Sequence, residues 1–375
     1  MPVTWISSLA PNTTELRWLG REEAMMEVTL QSPADWLKLN VGQFGYYRVN
    51  YPAEDWAELA ALLTRDHSAL GPMDRASLLN DAFSLAESGH IGYDVPLSMT
   101  RYLEHERHLV AWDTVYDQLV GMGDLLELTP TFPLFRSYMV NLVLPHYHRL
   151  GWRDEGSHVE RMNRYNILGL ACKYGHALCR TEAGNLFQKW LDDPTMYIAP
   201  NLRSLVYKYG MTSVGGATSW DLMLARYLAE TNAQEKRKLL YGLAQVREPW
   251  VLHRFLHLAR NESYVRSQDF FSAVSYIAGN PVGSPIVWAF LQAEWPYLVD
   301  RFTLNDRYLG RLPKTVSSKF ASQFQLDQLL GFFEANPEAG AGARARKQAV
   351  EQVENNIRWL EEHSEVITTW LQSNS

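Results

Sequence analysis

Two pairs of histidines have the spacing at which side chains on one helical face could bind a metal ion. His253 and His257 are four residues apart, as paired zinc ligands are on a helix. Arg254 stands where the motif His-Glu-x-x-His has its glutamate, and no third ligand is identifiable. His105 and His108, three residues apart, are interpreted as part of the solvated face of a polar helix. Because His-Glu-x-x-His occurs nowhere in the chain, the sequence predicts no metal site and no cofactor here.

Nucleophilic and phosphate-binding motifs are also absent from the sequence. No Gly-x-Ser-x-Gly elbow occurs, and neither cysteine has an obvious activating residue near it in sequence. The glycine clusters lack the spacing and the Lys-Ser/Thr of a phosphate-binding loop. The sequence therefore gives no support for catalysis by this chain alone.

A polar stretch at 305–311, interpreted as a loop between apolar helices, contains two arginines. A guanidinium group binds a carboxylate through two parallel charge-assisted hydrogen bonds, so Arg307 and Arg311 are candidates for binding an acidic ligand. The alternative is an ordinary ion pair with a neighbour such as Asp300 or Asp306. Spacing alone favours the ion pair.

Cys172 and Cys179 are the only two cysteines, and their spacing leaves two interpretations open. On an unbroken helix their Cα atoms would be ~10.5 Å apart, beyond the ~7 Å limit for a disulfide. Gly175 lies between them and could end the helix, which would fold the second cysteine back. A bonded pair would indicate an oxidising compartment, whereas an unbonded pair would be two small buried apolar residues.

The composition is that of a well-packed globular protein. Of the 375 residues, 46% are hydrophobic, which argues against disorder. The formal net charge of -7 and the scattered Lys and Arg indicate no nucleic-acid partner. No stretch is apolar enough for a membrane helix, and the start at 1–5 has no signal peptide, which alone suggests a cytosolic protein. Asn12 and Asn261 point the other way, because each begins an Asn-x-Ser/Thr glycosylation sequence.

The periodicity indicates a mainly α fold with short β-strands at the N-terminus. Residues 36–41 alternate with a period of two, and residues 26–30 and 46–51 show a similar pattern. An isolated short sheet is marginally stable. We therefore interpret residues 1–51 as the end of a larger β-sandwich domain.

Residues 52–375 are predicted to form a C-terminal α-helical domain. Apolar residues recur there at three- and four-residue intervals, and Gly89 is predicted to end an early helix. About a dozen such blocks predict stacked helix pairs in a HEAT- or armadillo-like α-solenoid, whose concave face would bind ligands. After that early helix, the blocks lie at 96–106, 111–128, 132–150, 157–174, 179–192, 199–209, 218–230, 233–244, 249–260, 266–277, 284–300, 322–335 and from about 341.

Two further groups of residues are predicted to be structural. Arg48, Asp74 and Asp81 are expected to fix the junction between the strands and the first helices. Six tryptophans at helical intervals are expected in the core: Trp152, Trp220, Trp288, Trp295, Trp359 and Trp370.

Several segments, in order along the chain, resemble the C-terminal part of zinc aminopeptidases of the aminopeptidase N and glutamyl aminopeptidase type. Any one of them would be weak evidence, and their order is the stronger argument. The segments are GYYRVNY at 45–51, DRASLLNDAF at 74–83, PNLRSLVY at 200–207, KLLYGLA at 238–244 and NNIRWL at 355–360. YKYGM at 207–211 and TLNDRYLGR at 303–311 resemble the glutamyl aminopeptidase branch in particular.

The resemblance implies a parent enzyme that is a type II membrane ectoenzyme, facing the extracellular side of the plasma membrane. Such enzymes remove N-terminal residues from peptides with one zinc, which is held by a catalytic domain absent from this chain. The implied partners are that catalytic domain of the same polypeptide, peptide substrates and a second copy in a homodimer. The resemblance also favours a Cys172–Cys179 disulfide. By position, Arg307 matches the arginine that reaches the pocket for an acidic first residue, with Arg311 close by.

Other interpretations remain open on the sequence. One is a standalone α-solenoid that binds peptides or proteins and has no enzymatic activity, which requires Met1 to be a natural start. Another is a metal enzyme built from the scattered histidines. The abrupt strand-like start at 3–7 favours a piece of a longer peptidase over both.

Overall fold

The computed structural model describes residues 1–28, 30, 32, 34–193 and 195–374. These residues form sixteen α-helices and one three-stranded antiparallel sheet, so the predicted mainly α class with short N-terminal strands is confirmed. Contacts divide the chain into a first unit, Met1–Tyr174 with His363–Ser375, and a second unit, Gly175–Glu362. The predicted boundary after residue 51 stays a prediction.

The sheet of the first unit has the strand order β2-β1-β3. Its strands are β1 (Pro2–Ser7), β2 (Ala10–Trp18) and β3 (Leu37–Leu39). The alternation predicted at 36–41 is confirmed around β3, and the buried side is the one that carries Trp36, Lys38 and Asn40. A lysine on the inner side of a strand needs polar partners, since burying an uncompensated charge is costly.

Two of the predicted strands are wrong. Residues 26–28 and 30 are not in a strand, and Thr29 lies outside the described residues. Residues 46–51 form a bend instead, because side chains satisfy the backbone there. The Asn40 amide donates to Gly45 O and Tyr47 O at 3.0 and 3.1 Å and accepts from Gly45 N at 2.8 Å. These bonds replace the ladder that a neighbouring strand would supply.

Six helices follow the sheet in the first unit, and α2 contacts both α3 and α4. As predicted, Gly89 ends α2: its φ is +74°, a conformation that glycine adopts without strain, and its N–H bonds to Ala86 O at 3.0 Å. The helices are α1 (Ala53–Asp66), α2 (Pro72–Glu87), α3 (Asp94–Thr100), α4 (Leu109–Leu126), α5 (Phe132–Leu150) and α6 (His158–Lys173).

The second unit is built from sequential helices, of which α7 contacts α8, α8 contacts α10, and α14 contacts α12 and α13. These are α7 (Ala177–Asp192), α8 (Pro200–Val214), α9 (Ala217–Ala229), α10 (Ala233–Leu243), α11 (Pro249–Ala259), α12 (Ser267–Ala278), α13 (Gly283–Phe302), α14 (Arg307–Val316) and α15 (Gln323–Ala335). The last helix, α16 (Ala343–Asn374), belongs to this unit up to Glu362.

Most of the tryptophans that were predicted to be in the core are buried. Trp220, Trp288, Trp295 and Trp370 are each at most 8% exposed. Trp152 and Trp359 are only half-buried.

Candidate functional site

The polar stretch at 305–311 is not a loop, as the sequence suggested, but the first turns of helix α14. Asp306 is the N-cap residue, and its carboxylate accepts hydrogen bonds from Tyr308 N at 2.8 Å and Leu309 N at 2.9 Å. Polar residues are favoured at a helix start because the first N–H groups have no partner within the helix. The polar side chains at 305–306 therefore mark the N-terminal cap of a helix.

Helix α14 has a buried face and an exposed face. Leu309, Leu312 and Val316 recur at three- and four-residue intervals and are at most 3% exposed. Arg307 and Arg311 are four residues apart on the opposite side, and both are exposed. We call the surface formed by Arg307, Tyr308 and Arg311 the arginine face.

Close backbone packing fixes the position of α14. A Cβ atom added to Gly310 would lie 2.7 Å from Gly342 N, so no larger residue fits without displacement. The turn at Gly340–Gly342 is held in addition by a hydrogen bond from Ala341 N to Leu304 O at 2.9 Å. The arginine face therefore sits on a rigid support.

The two guanidinium groups of the arginine face are unpaired within the described part of the chain. Among the described residues, neither Arg307 nor Arg311 donates a side-chain hydrogen bond or forms a salt bridge. The carboxylate of Asp306 is engaged in capping the helix, and Asp300 is exposed and forms no ion pair within the same described ranges. The ion pairs considered from the sequence are therefore not formed, and both arginines are available to an anion.

A cavity of about 290 Å³ opens beside the arginine face. Tyr308 is 67% exposed and stacks on Phe271 with ring centroids 6.1 Å apart. The wall also includes Tyr227 from α9, Lys236 and Arg237 from α10. This grouping was not visible in the sequence, because its members come from four separate helices.

The histidine pair with metal-ligand spacing, His253 and His257, lies beside a competing positive charge. His253 and His257 are exposed on α11, but Arg254 lies between them and forms an ion pair with Asp221 at 2.8 Å. The positive charge of the Arg254 guanidinium group would repel a metal cation bound near the two histidines. Within the part of the chain that the structure describes, no group of three or more His, Cys, Asp or Glu side chains could hold a metal ion. The described residues therefore do not offer a zinc ion a set of ligands.

The helix predicted around His105 and His108 is wrong, although His105 is exposed as expected. Both lie between a short 3-10 helix, Arg101–Glu104, and α4. His108 is the N-cap of α4, where its Nδ1 accepts from Val110 N at 3.3 Å. Between the two histidines, Glu106 is only 1% exposed.

Glu106 forms a buried ion pair that the sequence did not reveal. Arg75 donates to its carboxylate from Nε at 2.5 Å and from Nη2 at 2.9 Å, and His108 N donates at 2.8 Å. Burial alone would raise the pKa of Glu106, but these hydrogen bonds and the Arg75 charge lower it below its usual value. The nearby Tyr102 hydroxyl has a pKa raised well above its usual value, first by burial and then by the Glu106 charge.

The prediction that Arg48, Asp74 and Asp81 fix the strand-to-helix junction is confirmed. Arg48 Nη1 lies 3.3 Å from Asp81, which also accepts from Val49 N at 3.1 Å. Asp74 accepts from Gly42 N at 2.7 Å and lies 3.5 Å from Lys38 Nζ. Burial lowers the pKa of Lys38, and the charge of Asp74 partly offsets this effect.

The remaining predicted positions are placed as follows. Cys172 and Cys179 are disulfide-bonded, and Gly175 between them has a φ of +90°. Asn12 is exposed in β2. Asn261 is exposed in the connection between α11 and α12, where its side-chain oxygen accepts from Ser263 N at 2.9 Å. Glycosylation at either asparagine stays a prediction.

The chain belongs to a recognisable class of domain. Residues 36–355 match the family described as the ERAP1-like C-terminal domain, and the chain belongs to that family. The predicted resemblance to aminopeptidases is confirmed over the whole chain. The chain is 38% identical to glutamyl aminopeptidase of Rattus norvegicus over 374 residues. This alignment covers 100% of the chain and 39% of that relative.

Two further relatives extend this similarity. Glutamyl aminopeptidase of Bos taurus is 40% identical over 371 residues, covering 99% of the chain and 38% of the relative. Aminopeptidase N of Homo sapiens is 31% identical over 367 residues, covering 96% of the chain and 38% of the relative. The chain therefore spans about two fifths of the length of these relatives. Among the helices described, none is both long and apolar enough to cross a membrane.

Proposed function

We propose that this chain is the C-terminal regulatory and substrate-chamber portion of a zinc aminopeptidase that removes acidic N-terminal residues from peptides. The family match and the relatives' names support the aminopeptidase part. The observation that carries the acidic preference is the exposed Arg307, whose guanidinium group has no partner within the described residues. In this proposal the zinc and the catalytic groups belong to a catalytic domain of the same polypeptide.

Arg307 would act by binding the side-chain carboxylate of the first substrate residue. A planar guanidinium group can donate two parallel hydrogen bonds to a carboxylate, which sets both the distance and the orientation of the substrate. Arg307 is the first residue of α14, where the Asp306 carboxylate offsets the helix dipole, so the positive potential comes from the guanidinium group itself. Arg311, one turn later, extends that potential without needing direct contact.

The helix geometry supports a positioning role because little has to be reorganised when a ligand arrives. The cap at Asp306 and the packing of Gly310 on Gly342 already hold α14 in place. Binding then costs mainly the ordering of the arginine side chain. An acidic substrate would gain from the contact, and a neutral one would not.

The test is the substrate preference of an enzyme that contains both the catalytic domain and this chain. For Arg307→Ala we expect kcat/KM for a glutamyl substrate to fall by roughly 10- to 150-fold, or ~1.5–3 kcal/mol, relative to an alanyl substrate. Arg307→Lys should recover part of the loss, because the charge remains and the two-pronged geometry does not. Arg344→Ala is a matched control, since Arg344 is also exposed on a helix of the second unit. An unchanged acidic-to-alanyl ratio in Arg307→Ala would rule out this role.

We further propose that the parent enzyme is a glycosylated membrane ectoenzyme facing the extracellular side. The disulfide-bonded cysteines and the exposed Asn12 and Asn261 support an oxidising, secretory environment. Protein from secretory cells should lose mass on enzymatic deglycosylation, and Asn12→Gln with Asn261→Gln should abolish that loss within this region. Unmodified asparagines in such material would count against the proposal.

A further inference from the structure

The cavity beside the arginine face has a charge imbalance that the function proposed above does not use. Three cationic side chains line it, Lys236, Arg237 and Arg266, whereas Asp269 is the one carboxylate among its described lining residues. Arg266 already holds Asp269, with Nη2 and Nε at 2.7 and 2.9 Å from Oδ2. An excess of positive charge therefore remains, in a chain whose net charge is -7.

Lys236 and Arg237 carry that excess. In the described part of the chain, neither side chain forms a salt bridge or a hydrogen bond. Lys236 Nζ lies 4.8 Å from the centre of the Tyr227 ring, a cation–π contact that holds the ammonium group at the wall. Arg237 is exposed and follows directly on the same helix. Two adjacent cations without counter-ions are a favourable environment for an anion.

The wall also contains Tyr227, whose hydroxyl group is itself buried. Tyr227 is 1% exposed, and its Oη has no hydrogen-bond partner among the residues that the structure describes. Most buried polar groups are paired, so an unpaired one calls for an explanation. Burial, followed by the charge of Asp269, raises the pKa of Tyr227 to about 12. The hydroxyl group therefore stays protonated near neutral pH and adds no negative charge beside Lys236.

The rim of the cavity is aromatic. Phe271 is buried, Tyr308 is exposed, and their rings stack with an interplanar angle of 20°. Such a rim offers apolar contact to a planar organic group but nothing to a hydrated inorganic ion. A volume of about 290 Å³ suits a molecule of a few to about ten heavy atoms.

We propose that this cavity binds a small organic carboxylate, with the acid group near Lys236 and Arg237 and a planar apolar part against the Phe271–Tyr308 pair. The site is separate from Arg307, which does not line the cavity. It therefore does not depend on the peptidase role of the chain. Its ligand could be a free organic acid or the carboxyl group of a peptide, and the two share the same chemistry.

The test measures the equilibrium binding of phenylacetate to the full chain, with ligand-observed NMR as the detection method. Phenylacetate should bind, and its neutral analogue phenylacetamide should bind at least about tenfold more weakly, because the charge-assisted contacts are lost. Acetate, which lacks the ring, should also bind more weakly. Acetyl-Gly-Gly-Phe as the free acid distinguishes the sources: tighter binding than phenylacetate assigns the site to peptides, and weaker binding assigns it to free acids.

Variants locate the binding in the cavity. Lys236→Gln with Arg237→Gln should raise the dissociation constant of phenylacetate at least about tenfold. Arg344→Gln with Lys347→Gln removes the same charge from exposed positions of the same unit and should leave it unchanged. Tyr308→Ala should weaken phenylacetate more than acetate. Equal effects of the two double variants on the dissociation constant would overturn the proposal. Equal binding of phenylacetate and phenylacetamide would also overturn it, as would displacement of phenylacetate by inorganic phosphate at equal concentration.

Discussion

Arg75 in the first unit and Arg307 in the second both lie near the start of a helix, yet their guanidinium groups have opposite surroundings. Arg75 is 7% exposed and is bound by the buried carboxylate of Glu106. Arg307 is exposed and has no partner among the described residues. The Arg75 charge therefore stabilises the fold through its ion pair. The Arg307 charge makes no such contact and is accessible to a ligand.

The difference follows from the cost of removing a charge from water. A buried charge is tolerated only with a counter-ion and hydrogen bonds, so losing one partner leaves the other uncompensated. An exposed charge stays hydrated, and its removal costs the fold little. The comparison predicts that mutations at the two sites have large effects on different properties: stability at Glu106, and ligand binding at Arg307.

The largest effect is expected for Glu106→Ala. It leaves Arg75 buried without its counter-ion and should lower the free energy of unfolding by about 3–5 kcal/mol. Glu104→Ala is the matched control, because Glu104 is exposed nearby and should change stability by less than about 0.5 kcal/mol. Urea-induced unfolding followed by tryptophan fluorescence measures both. A loss below about 1 kcal/mol for Glu106→Ala would break the comparison.

The same pair should make stability depend on acid. The pKa of Glu106 is lower in the folded chain than its usual value of 4.5. Its contribution is therefore complete above about pH 4.5 and is lost as the pH falls through the folded pKa. The stability difference between the wild type and Glu106→Gln, measured by urea unfolding, should stay constant from about pH 7 to about pH 5 and shrink on further acidification. A difference that stays constant would mean that the carboxylate is not held as described.

An intermediate effect is expected for Asp306→Ala, which removes the N-cap of α14. Loss of such a cap typically costs about 1 kcal/mol. Asp306→Ser should retain most of the stability because serine also caps helices. Asp300→Ala provides the control, since Asp300 is exposed and caps no helix. Equal unfolding free energies for the alanine variants at 306 and 300 would show that the cap is not needed.

The smallest effect on stability is expected on the arginine face itself. Arg307→Gln and Arg311→Gln should each change the free energy of unfolding by less than about 0.5 kcal/mol, because neither guanidinium group has a partner to lose. Urea unfolding of both variants, beside Glu106→Ala, gives the comparison directly. A loss above about 1 kcal/mol for Arg307→Gln would show that Arg307 has a structural role after all.

Much of the fold could be predicted from the sequence because it depends on local periodicity. Most of the helices, and the end of α2 at Gly89, follow from residue spacing alone, whereas α1 and α14 lie outside the predicted blocks. Residues 46–51 could not be predicted, since their backbone is bonded to side chains such as Asp81, more than thirty positions away. The burial of Glu106 has the same origin: its partner Arg75 is distant in sequence, and a charged run looks solvated when read locally.

The site was predicted in part. Charge and residue type made Arg307 and Arg311 candidates, and the resemblance to the aminopeptidase family favoured Arg307; their role stays a prediction. The start of α14 was missed because the cap at Asp306 is polar, and polar runs also occur in loops. The neighbouring cavity was missed entirely, since it requires the packing of α9, α10 and α12 around Tyr308.

The contact between Gly310 and Gly342 sets the size of any graft that would move this site to another protein. Transplanting the arginines alone would carry their charge but not their direction, because the backbones of α14 and the turn at Gly340–Gly342 touch without side chains between them. The smallest unit that could be transferred is therefore residues 304–316 together with residues 339–342, and both segments have to be transferred at once. Within these two segments, the solvent-exposed positions can be redesigned.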